Sequence, residues 1–367
     1  MSIPLANRVN ETQISGIRKV FDLAAKMKNP INLSIGQPDF PVPEAIKKAC
    51  CNAINANRNS YSQTQGIPDL REALKLRHNI TDGQLLITSA VSGGLLLSCL
   101  ALLNQGDEIL MPDPYFVMYK QLPLMLGAKP VFYDTFPNWK IELSRIESLI
   151  TPRTKAILVN SPNNPTGAVL TRNELSDLGN ILRKHNLLAI SDEIYSSFCY
   201  DSQFTAMHEV YPHTLTLSGF SKSHAITGWR LGYAFGPEEL IAAMTKFQQF
   251  TFVCAPTMVQ AAGVACLAYD VQHYCDEYRE KRNIIYHGLI EAGYDVEKPG
   301  GAFYIFPKVP SGYASDDEFV NACIANDLLL IPSNVFSERN THFRISYAAS
   351  NETIERGLAV LKKLYKK

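Results

Sequence analysis

The chain has 367 residues, 46% of them hydrophobic, and its 35 basic residues balance its 35 acidic residues. This composition is typical of a globular protein and excludes a disordered chain. The neutral balance gives no sign of a basic surface for nucleic acid. The sequence has no run of about 18 uncharged apolar residues, so it predicts no membrane span. We therefore expect a cytoplasmic protein that binds neither nucleic acid nor membranes. A single core rarely grows beyond about 250–300 residues, so we expect two domains.

Short apolar strands and longer helical stretches alternate along the first two thirds of the chain. The first 30 or so residues are predicted to be helical. From about Gln84 to Phe235, short apolar runs are separated by intervals of mostly helical length, as in a largely parallel sheet covered by helices. The seven predicted strands are 85–87, 108–111, 130–132, 156–159, 187–190, 214–217 and 231–235.

The last third of the chain has a different pattern. A stretch without proline from about Thr257 to Ala292 is predicted to be one long helix that ends at Gly293. Segments 302–306 and 342–346 are predicted strands, and a last helix is expected over about 352–365. We predict a large domain over residues 45–270 and a small domain formed by residues 1–44 with 271–367.

The spacing of cysteine and histidine predicts no metal site. The eight cysteines are scattered without a C-x-x-C pair, and the eight histidines form no H-E-x-x-H pattern. We therefore expect free thiols and no bound metal.

Polar motifs follow five of the predicted strands. In an open α/β sheet, ligands bind beyond the carboxyl ends of the strands, so these motifs are expected to meet at one edge. They are residues 88–94 after the first strand, 112–116 after the second, 160–167 after the fourth, 191–195 after the fifth and Lys222 after the sixth. The sequence predicts a binding site at this edge of the sheet.

Lys222 lies in an unusual local sequence for a surface lysine. It follows Ser218-Gly219-Phe220-Ser221 at the end of a strand, and Arg230 comes shortly after it. This string lacks the spacing of a Walker phosphate loop and of the G-x-S-x-G nucleophile elbow. A free lysine has a pKa of about 10.4, so a nucleophilic lysine needs surroundings that disfavour its charge.

Five ordered motifs extend over nearly the whole chain. They are Gly36-Gln37-Pro38-Asp39-Phe40, Asn163-Asn164-Pro165-Thr166-Gly167, Asp192-Glu193-Ile194-Tyr195, the Ser-x-x-Ser-Lys and Thr-Gly-Trp-Arg-Leu-Gly-Tyr strings within 218–233, and Phe343-Arg344-Ile345-Ser346. Together they resemble the class I aminotransferases of the aspartate aminotransferase superfamily, which use pyridoxal 5'-phosphate and have fold type I. The resemblance implies an α/β large domain with a mostly parallel, mixed seven-stranded sheet flanked by helices, and a smaller α+β domain.

The resemblance also implies a role for each matched residue around the cofactor ring. Lys222 would bond covalently to the cofactor aldehyde and later move the substrate proton. Asp192 would keep the ring nitrogen protonated, and Tyr195 and Asn164 would hydrogen-bond the ring oxygen. Phe116 would stack on the ring as a flat apolar surface.

The cofactor phosphate would lie at a helix start, where amide N–H groups favour an anion. The resemblance implies phosphate contacts from Ala90, Val91, Ser92 and Arg230. Two positions depart from the family pattern. Ala90 stands where many relatives have glycine or serine, and Gly219 replaces a frequent phosphate-binding serine. Ser221 would compensate for the missing hydroxyl.

Substrate binding and subunit assembly are implied by three further matches. Arg344 would bind the substrate α-carboxylate through its planar guanidinium, with Asn164 in the same site and Gly36 giving close backbone approach. Tyr61 matches a tyrosine that relatives lend to the phosphate of the neighbouring subunit. The resemblance therefore implies a homodimer.

Three functions are compatible with these residues. The first is a ping-pong aminotransferase, in which an L-amino acid donates its amino group and a 2-oxo acid accepts it. The second is a C–S β-lyase of the same fold, because the same lysine can promote elimination. The third is a non-enzymatic regulator that binds the cofactor. The sequence alone identifies no residue that would bind the substrate side chain. We therefore expect the default substrate pair of the family, aspartate with 2-oxoglutarate.

Overall fold

The strands form three sheets, seen in a computed structural model that describes residues 3–12 and 14–365. They are β1 (Ile31–Asn32), β2 (Leu85–Thr88), β3 (Glu108–Asp113), β4 (Lys129–Asp134), β5 (Thr154–Asn160), β6 (Leu188–Asp192), β7 (Thr214–Gly219), β8 (Gly232–Phe235), β9 (Tyr304–Ile305), β10 (Leu328–Leu329), β11 (Ile331–Pro332) and β12 (Phe343–Ser346). All seven apolar runs predicted as strands of the large sheet are confirmed, as β2 to β8.

The seven-stranded sheet has the order β2-β8-β7-β6-β5-β3-β4. β8 is antiparallel to β2 and β7, and the other neighbouring strands are parallel. The predicted mixed, mostly parallel sheet is thus confirmed. Because β8 runs against β7, the first residues of β8 lie at the carboxyl edge of β7. This reversal brings Arg230, just before β8, to the same edge as Lys222, just after β7.

Alternate residues of the central strands pack on opposite faces of this sheet. In β5, Ile157 and Val159 belong to an apolar cluster on one face, whereas Ala156 and Leu158 belong to a cluster on the other. Strands that are buried on both faces have continuous apolar sequences, since no position faces water. This double burial explains why the strands could be located from the sequence.

Helices flank the sheet and build much of the smaller part of the molecule. They are α1 (Asn7–Glu11), α2 (Gly16–Ala24), α3 (Glu44–Asn55), α4 (Pro68–His78), α5 (Ala90–Leu102), α6 (Val117–Met125), α7 (Leu143–Leu149), α8 (Arg172–His185), α9 (Met207–Val210), α10 (Glu238–Thr251), α11 (Thr257–Ala268), α12 (Gln272–Ala292), α13 (Asp316–Ile324) and α14 (Asn351–Tyr365). The predicted last helix is confirmed as α14. None of the helices described combines the length and apolar character that crossing a bilayer requires.

The single helix predicted over about 257–292 is wrong, because the chain forms two helices, α11 and α12, separated by residues 269–271. Tyr269 has an extended conformation, and the carboxylate of Asp270 accepts a hydrogen bond from the backbone N–H of Gln272 at 2.9 Å. Aspartate side chains compete in this way with helical hydrogen bonds and favour a new helix start. The predicted stop at Gly293 is confirmed, where φ is +97°.

The smaller part of the molecule contains both ends of the chain. β1 pairs in parallel with β10, and β11, β12 and β9 form an antiparallel sheet. The strand predicted over 342–346 is observed as β12. The strand predicted over 302–306 is reduced to β9, because Ala302 has a left-handed φ of +55° that interrupts the extended backbone.

A buried arginine links helix α12 to the segment after β6. The side chain of Arg282 is 1% exposed, and its two terminal nitrogens donate to the carboxylate of Asp201 at 2.7 and 3.0 Å. One of these nitrogens also donates to the carbonyl of Pro299 at 2.8 Å. The guanidinium lowers the pKa of Asp201. The pair therefore joins two distant parts of the sequence through a group that water reaches poorly.

The Asp201 side chain is 53% exposed, and only its partner Arg282 is buried. We expect the substitution Asp201→Asn to destabilise the protein by about 2 kcal/mol, because it leaves this buried guanidinium without its counter-charge. Asp276→Asn is the matched control. It removes a carboxylate from an ion pair with Arg279 at 3.0 Å whose two side chains are 51% and 38% exposed, and such pairs contribute less than about 1 kcal/mol. Urea unfolding measures both effects. Equal changes in the free energy of unfolding for the two variants would contradict the prediction.

Candidate active site

A cavity of about 440 Å³ opens at the carboxyl edge of the seven-stranded sheet. Most of the site residues predicted from the sequence line it: Gly36, Ala90, Val91, Ser92, Phe116, Asn164, Asp192, Tyr195, Ser221, Lys222, Arg230 and Arg344. The motifs after five separate strands thus meet in one place, because parallel strands end at a common edge. Helix α2 and the residue before it add Ser15, Ile17 and Arg18 to the wall, which the sequence patterns did not predict.

Lys222 extends into this cavity from the segment after β7. Its Nζ donates a hydrogen bond to the carbonyl of Gly36 at 2.6 Å, and it lies 6.0 Å from the centre of the Tyr195 ring. Burial, reinforced by the positive charges of Arg344 and Arg230, lowers the pKa of the amine to about 8. An amine with this pKa is partly neutral near pH 8 and can act as a nucleophile and as a base.

Asp192 supplies a buried carboxylate on the same side of the cavity. It is the last residue of β6, and its oxygens accept hydrogen bonds from the Tyr119 hydroxyl at 2.7 Å and from the Ile194 N–H at 3.2 Å. Burial raises the pKa of Asp192 to about 6, whereas both hydrogen bonds and the charge of Lys222 oppose this rise. A cationic ring nitrogen beside this carboxylate would stabilise its ionised form.

Tyr119 was not identified from the sequence, although a signal exists. It lies three residues after Phe116, and the two rings contact each other edge to face with centroids 5.6 Å apart. Side chains three apart at the start of a helix face the same way. The aromatic predicted to stack on a cofactor ring therefore has a neighbour that reaches the carboxylate of Asp192.

Two tyrosines meet beside Lys222. The hydroxyl of Tyr195 lies 2.8 Å from the hydroxyl of Tyr304, a residue of β9 that the sequence analysis treated only as part of a strand. Both side chains are buried, and burial raises the pKa of both phenols. The two hydroxyls are therefore neutral near pH 7, and one donates a hydrogen bond to the other.

Arg344 of β12 is held between aromatic rings with one nitrogen left without a partner. Its terminal nitrogens donate to the Asn164 side-chain oxygen at 3.0 Å and to the Ser34 carbonyl at 2.7 Å. The guanidinium lies 4.6 Å from the ring centres of both Tyr304 and Phe336. Its Nε is buried and has no hydrogen-bond partner among the described residues. A planar cation with an unused donor suits a carboxylate.

The opposite end of the cavity has the features of an anion site. Helix α5 begins at Ala90, whose φ is +58°, and the first N–H groups of a helix have no partner within it. Arg230 donates to the Ser92 hydroxyl at 2.5 Å. The Ser221 hydroxyl is buried without a partner among the described residues. A Cβ at Gly232 would lie 2.7 Å from the Ala90 carbonyl carbon, so glycine allows the helix start to approach β8.

Two of the predicted residues do not line the cavity. Gly219 lies at the end of β7, where a Cβ would come within 2.9 Å of the Gly232 Cα. The close approach of β7 and β8 therefore requires glycine at this position. Tyr61 is 85% exposed, away from the cavity of its own chain.

The arrangement fits pyridoxal 5'-phosphate. The unpartnered Ser221 hydroxyl, the start of α5 and Arg230 suit the phosphate, and the buried carboxylate of Asp192 suits the ring nitrogen. Lys222 lies between these two ends with a lowered pKa. The spare Nε of Arg344 leaves a donor for a substrate carboxylate. Each charge that the cofactor and the substrate carry thus has a group of opposite sign or an unused donor in the cavity.

Comparisons with known proteins agree with this arrangement. The model of the family described as aminotransferase class I and II matches residues 28–361. The chain is 34% identical to aromatic-amino-acid aminotransferase 2 of Thermococcus litoralis, covering 99% of this chain and 98% of the relative. It is 35% identical to the probable aspartate aminotransferase of Methanocaldococcus jannaschii, covering 98% and 100%.

Solved structures give the same result. The aspartate aminotransferase from Thermus thermophilus with maleate has a TM-score of 0.95 and 31% sequence identity, covering 99% of this chain and all of that one. The aspartate aminotransferase from Thermotoga maritima has a TM-score of 0.93 with the same identity. The protein therefore belongs to the aminotransferase class I and II family, and it is a pyridoxal-phosphate-dependent aminotransferase of fold type I.

Proposed function

We propose that this aminotransferase exchanges amino groups between dicarboxylic amino acids and 2-oxo acids, with aspartate and 2-oxoglutarate as the substrate pair, and that Lys222 is its catalytic base. The observation that carries the proposal is the Lys222 amine, whose pKa burial and two arginines lower to about 8. The amine shares its cavity with the Asp192 carboxylate and with the anion site at the start of α5.

The residues around the cavity would hold the cofactor from all sides. When bound, pyridoxal phosphate supplies an aldehyde that takes up the amino group and a ring that withdraws electrons from the substrate α-carbon. Lys222 would hold the aldehyde covalently, and Asp192 would pair with the ring nitrogen. Tyr195 and Asn164 would hydrogen-bond the ring oxygen, and Phe116 would stack on the ring. The phosphate would be bound by Ala90, Val91, Ser92, Ser221 and Arg230.

Proton transfer would be carried out by the Nζ of Lys222. As a free amine, Nζ would take the proton from the substrate α-carbon and later return a proton to the product side. Its hydrogen bond to the Gly36 carbonyl, at 2.6 Å, holds the amine against the wall of the cavity that Gly36 forms. A base that titrates near the working pH transfers protons efficiently in both directions.

Recognition of the substrate would use two arginines. Of the residues that the structure describes, four with cationic side chains line the cavity: Arg18, Lys222, Arg230 and Arg344. Three of them have roles with the cofactor or with the α-carboxylate. We assign Arg18 of α2 to the second carboxylate of aspartate or 2-oxoglutarate, because a bidentate guanidinium is the usual partner of a carboxylate. Relatives described as aspartate aminotransferases support this choice.

The chain would divide into a large domain over residues 45–270 and a small domain of residues 1–44 with 271–367. Ile31 and Leu33 share one apolar core with residues between 275 and 364, and Tyr195, Phe198 and Tyr200 of the large domain also pack into it. The pairing of β1 with β10 is what supports placing the N-terminal segment with the C-terminal part. Arg344 then belongs to the small domain, and Lys222 belongs to the large domain. Binding of the α-carboxylate at Arg344 would draw the two domains together and exclude water from the cavity.

The active form would be a homodimer to which each chain contributes Tyr61. The Tyr61 side chain is 85% exposed, and Phe250 of α10 is 83% exposed. The segment of Tyr61 packs near α10, because the buried Gln248 side chain donates to the Thr64 carbonyl at 2.7 Å. Exposed aromatic side chains are typical of protein interfaces. Tyr61 would reach the phosphate in the neighbouring subunit.

We expect the substitution Lys222→Ala to abolish the visible absorbance of the cofactor-loaded protein and to lower turnover by about 100-fold or more, the usual contribution of a positioned base. Lys155→Ala is the matched control, since the half-exposed Lys155 pairs with Asp107 at 3.4 Å near the start of β5 and does not line the cavity. Absorbance spectra and single-turnover rates with aspartate measure both effects. If Lys222→Ala retained the absorbance and the rate, Lys222 would have no part in the mechanism.

We expect Arg18→Gln to raise the KM for aspartate and for 2-oxoglutarate by about 10-fold, because a charge-assisted hydrogen bond is lost. The KM for alanine and pyruvate should stay unchanged, since neither carries a second carboxylate. Lys19→Gln, a change of the next residue on α2, serves as the control. Steady-state kinetics with a panel of donors and acceptors gives the answer. An equal loss with all substrates would refute the role assigned to Arg18.

We expect inactive subunits to complement each other if Tyr61 acts across the dimer. Tyr61→Ala and Lys222→Ala chains, mixed and reassembled, would form hybrid dimers with one complete site each. Random pairing makes about half of the dimers hybrids, and one of the two sites in each hybrid is complete. Mixing should therefore restore about a quarter of the wild-type activity. Sedimentation measures the dimer, and turnover measures the recovery. A monomer, or no recovery on mixing, would show that Tyr61 does not serve the partner.

A further inference from the structure

We propose that Tyr304 is a positioning residue that keeps the Tyr195 proton available for the cofactor and links Tyr195 to the substrate-carboxylate group Arg344. The proposal rests on the function proposed above, in which Tyr195 hydrogen-bonds the cofactor ring oxygen. Tyr304 lines the cavity, its side chain is 1% exposed, and its hydroxyl lies 2.8 Å from that of Tyr195.

The direction of the hydrogen bond between the two phenols depends on where each donates its single proton. Each neutral tyrosine hydroxyl donates one proton and can also accept. Tyr195 is the sole hydrogen-bond partner of the Tyr304 hydroxyl among the residues described. If Tyr195 donated to Tyr304, it would have no proton for the cofactor oxygen. With the cofactor bound as proposed, Tyr304 would donate to Tyr195, which leaves the Tyr195 proton for the cofactor and polarises it.

The ring of Tyr304 has a second role. Its centre lies 4.6 Å from the Arg344 guanidinium, and Phe336 lies at the same distance. A guanidinium held between two rings has a defined plane, and its Nε then points in a fixed direction. One side chain thus touches both the group proposed to bind the substrate carboxylate and the group proposed to bind the cofactor oxygen.

The strand pairing keeps these contacts in register. Tyr304 of β9 pairs with Ser346 of β12, and Arg344 lies two residues before Ser346. Side chains two residues apart along a strand point to the same face of a sheet, so Tyr304 and Arg344 are diagonal neighbours. A Cβ at Gly36 would lie 2.3 Å from the Tyr304 hydroxyl oxygen, so the hydroxyl also packs directly on the backbone that receives Lys222.

The test compares two variants of the cofactor-loaded protein. Tyr304→Phe removes the hydroxyl and keeps the ring. A hydrogen-bond donor on the cofactor oxygen stabilises its ionised form, so weaker donation by Tyr195 should raise the pH midpoint of the visible absorbance, by about half a pH unit. The KM for aspartate should change less than about twofold. Tyr304→Leu also removes the ring, so it should raise both the midpoint and, by about 10-fold, the KM.

Two further variants make the result specific. Tyr347→Phe removes another buried tyrosine hydroxyl of the small domain, which donates to the Ala302 carbonyl at 3.3 Å outside the cavity, and it should leave the midpoint unchanged. In a Tyr195→Phe background, Tyr304→Phe should add no further shift, because its effect passes through Tyr195. A full additional shift in that background would overturn the proposal.

The outcomes also separate this inference from the proposed function. If Tyr195→Phe itself leaves the midpoint unchanged, the placement of Tyr195 at the cofactor oxygen fails, and the role of Tyr304 fails with it. If Tyr195→Phe raises the midpoint while Tyr304→Phe and Tyr304→Leu leave it unchanged, the role of Tyr304 alone is overturned. Circular dichroism of each variant establishes that it is folded before the titration.

Discussion

The site depends on the poor hydration of one amine beside two fixed cations. In water, Lys222 would be protonated near neutral pH and unable to attack a carbonyl carbon. Burial disfavours its charge, and Arg344 and Arg230 disfavour it further, whereas Asp192 partly restores it. The balance leaves a pKa of about 8, so the amine can lose and regain a proton at little cost. The other features of the cavity keep these four charges at fixed positions.

The positions of these charges follow from the topology of the sheet. Parallel strands bring the residues after β2, β3, β5, β6 and β7 to one edge, and the reversed direction of β8 adds Arg230 from the other side. Arg344 comes from a different sheet, where β12 is paired on both sides. The two cations that lower the pKa of Lys222 therefore come from different sheets.

The sequence predicts much of this architecture because strand burial and strand-end motifs leave clear patterns. The continuous apolar runs predicted strands β2 to β8. The motifs predicted residues that line the cavity, namely those around Asn164, Asp192, Lys222 and Arg344. The break at residues 269–271 was missed, and its visible local feature is a single hydrogen bond from the Gln272 N–H to the Asp270 side chain. No hydrophobic pattern records such a bond.

The residues that support the site were harder to predict. Tyr119 and Tyr304 lie within apolar segments, where an aromatic side chain usually belongs to the core. Their hydroxyls became informative only when packing placed one against Asp192 and the other against Tyr195. Arg18 lies on a short helix whose position over the cavity depends on tertiary contacts. The hydrogen bonds of such hydroxyls depend on tertiary packing, so residue type alone did not predict them.

The contact between Gly232 and Ala90 has a consequence for how this enzyme could change its substrate. The two backbones are so close that a Cβ at Gly232 would lie 2.7 Å from the Ala90 carbonyl carbon. Main chain cannot be replaced by mutation, so the start of α5 has little room to move relative to β8. The wall formed by Ile17, Arg18 and Met118 consists of side chains. New specificities within this scaffold would therefore arise at the wall formed by these side chains, while the start of α5 keeps its position against β8.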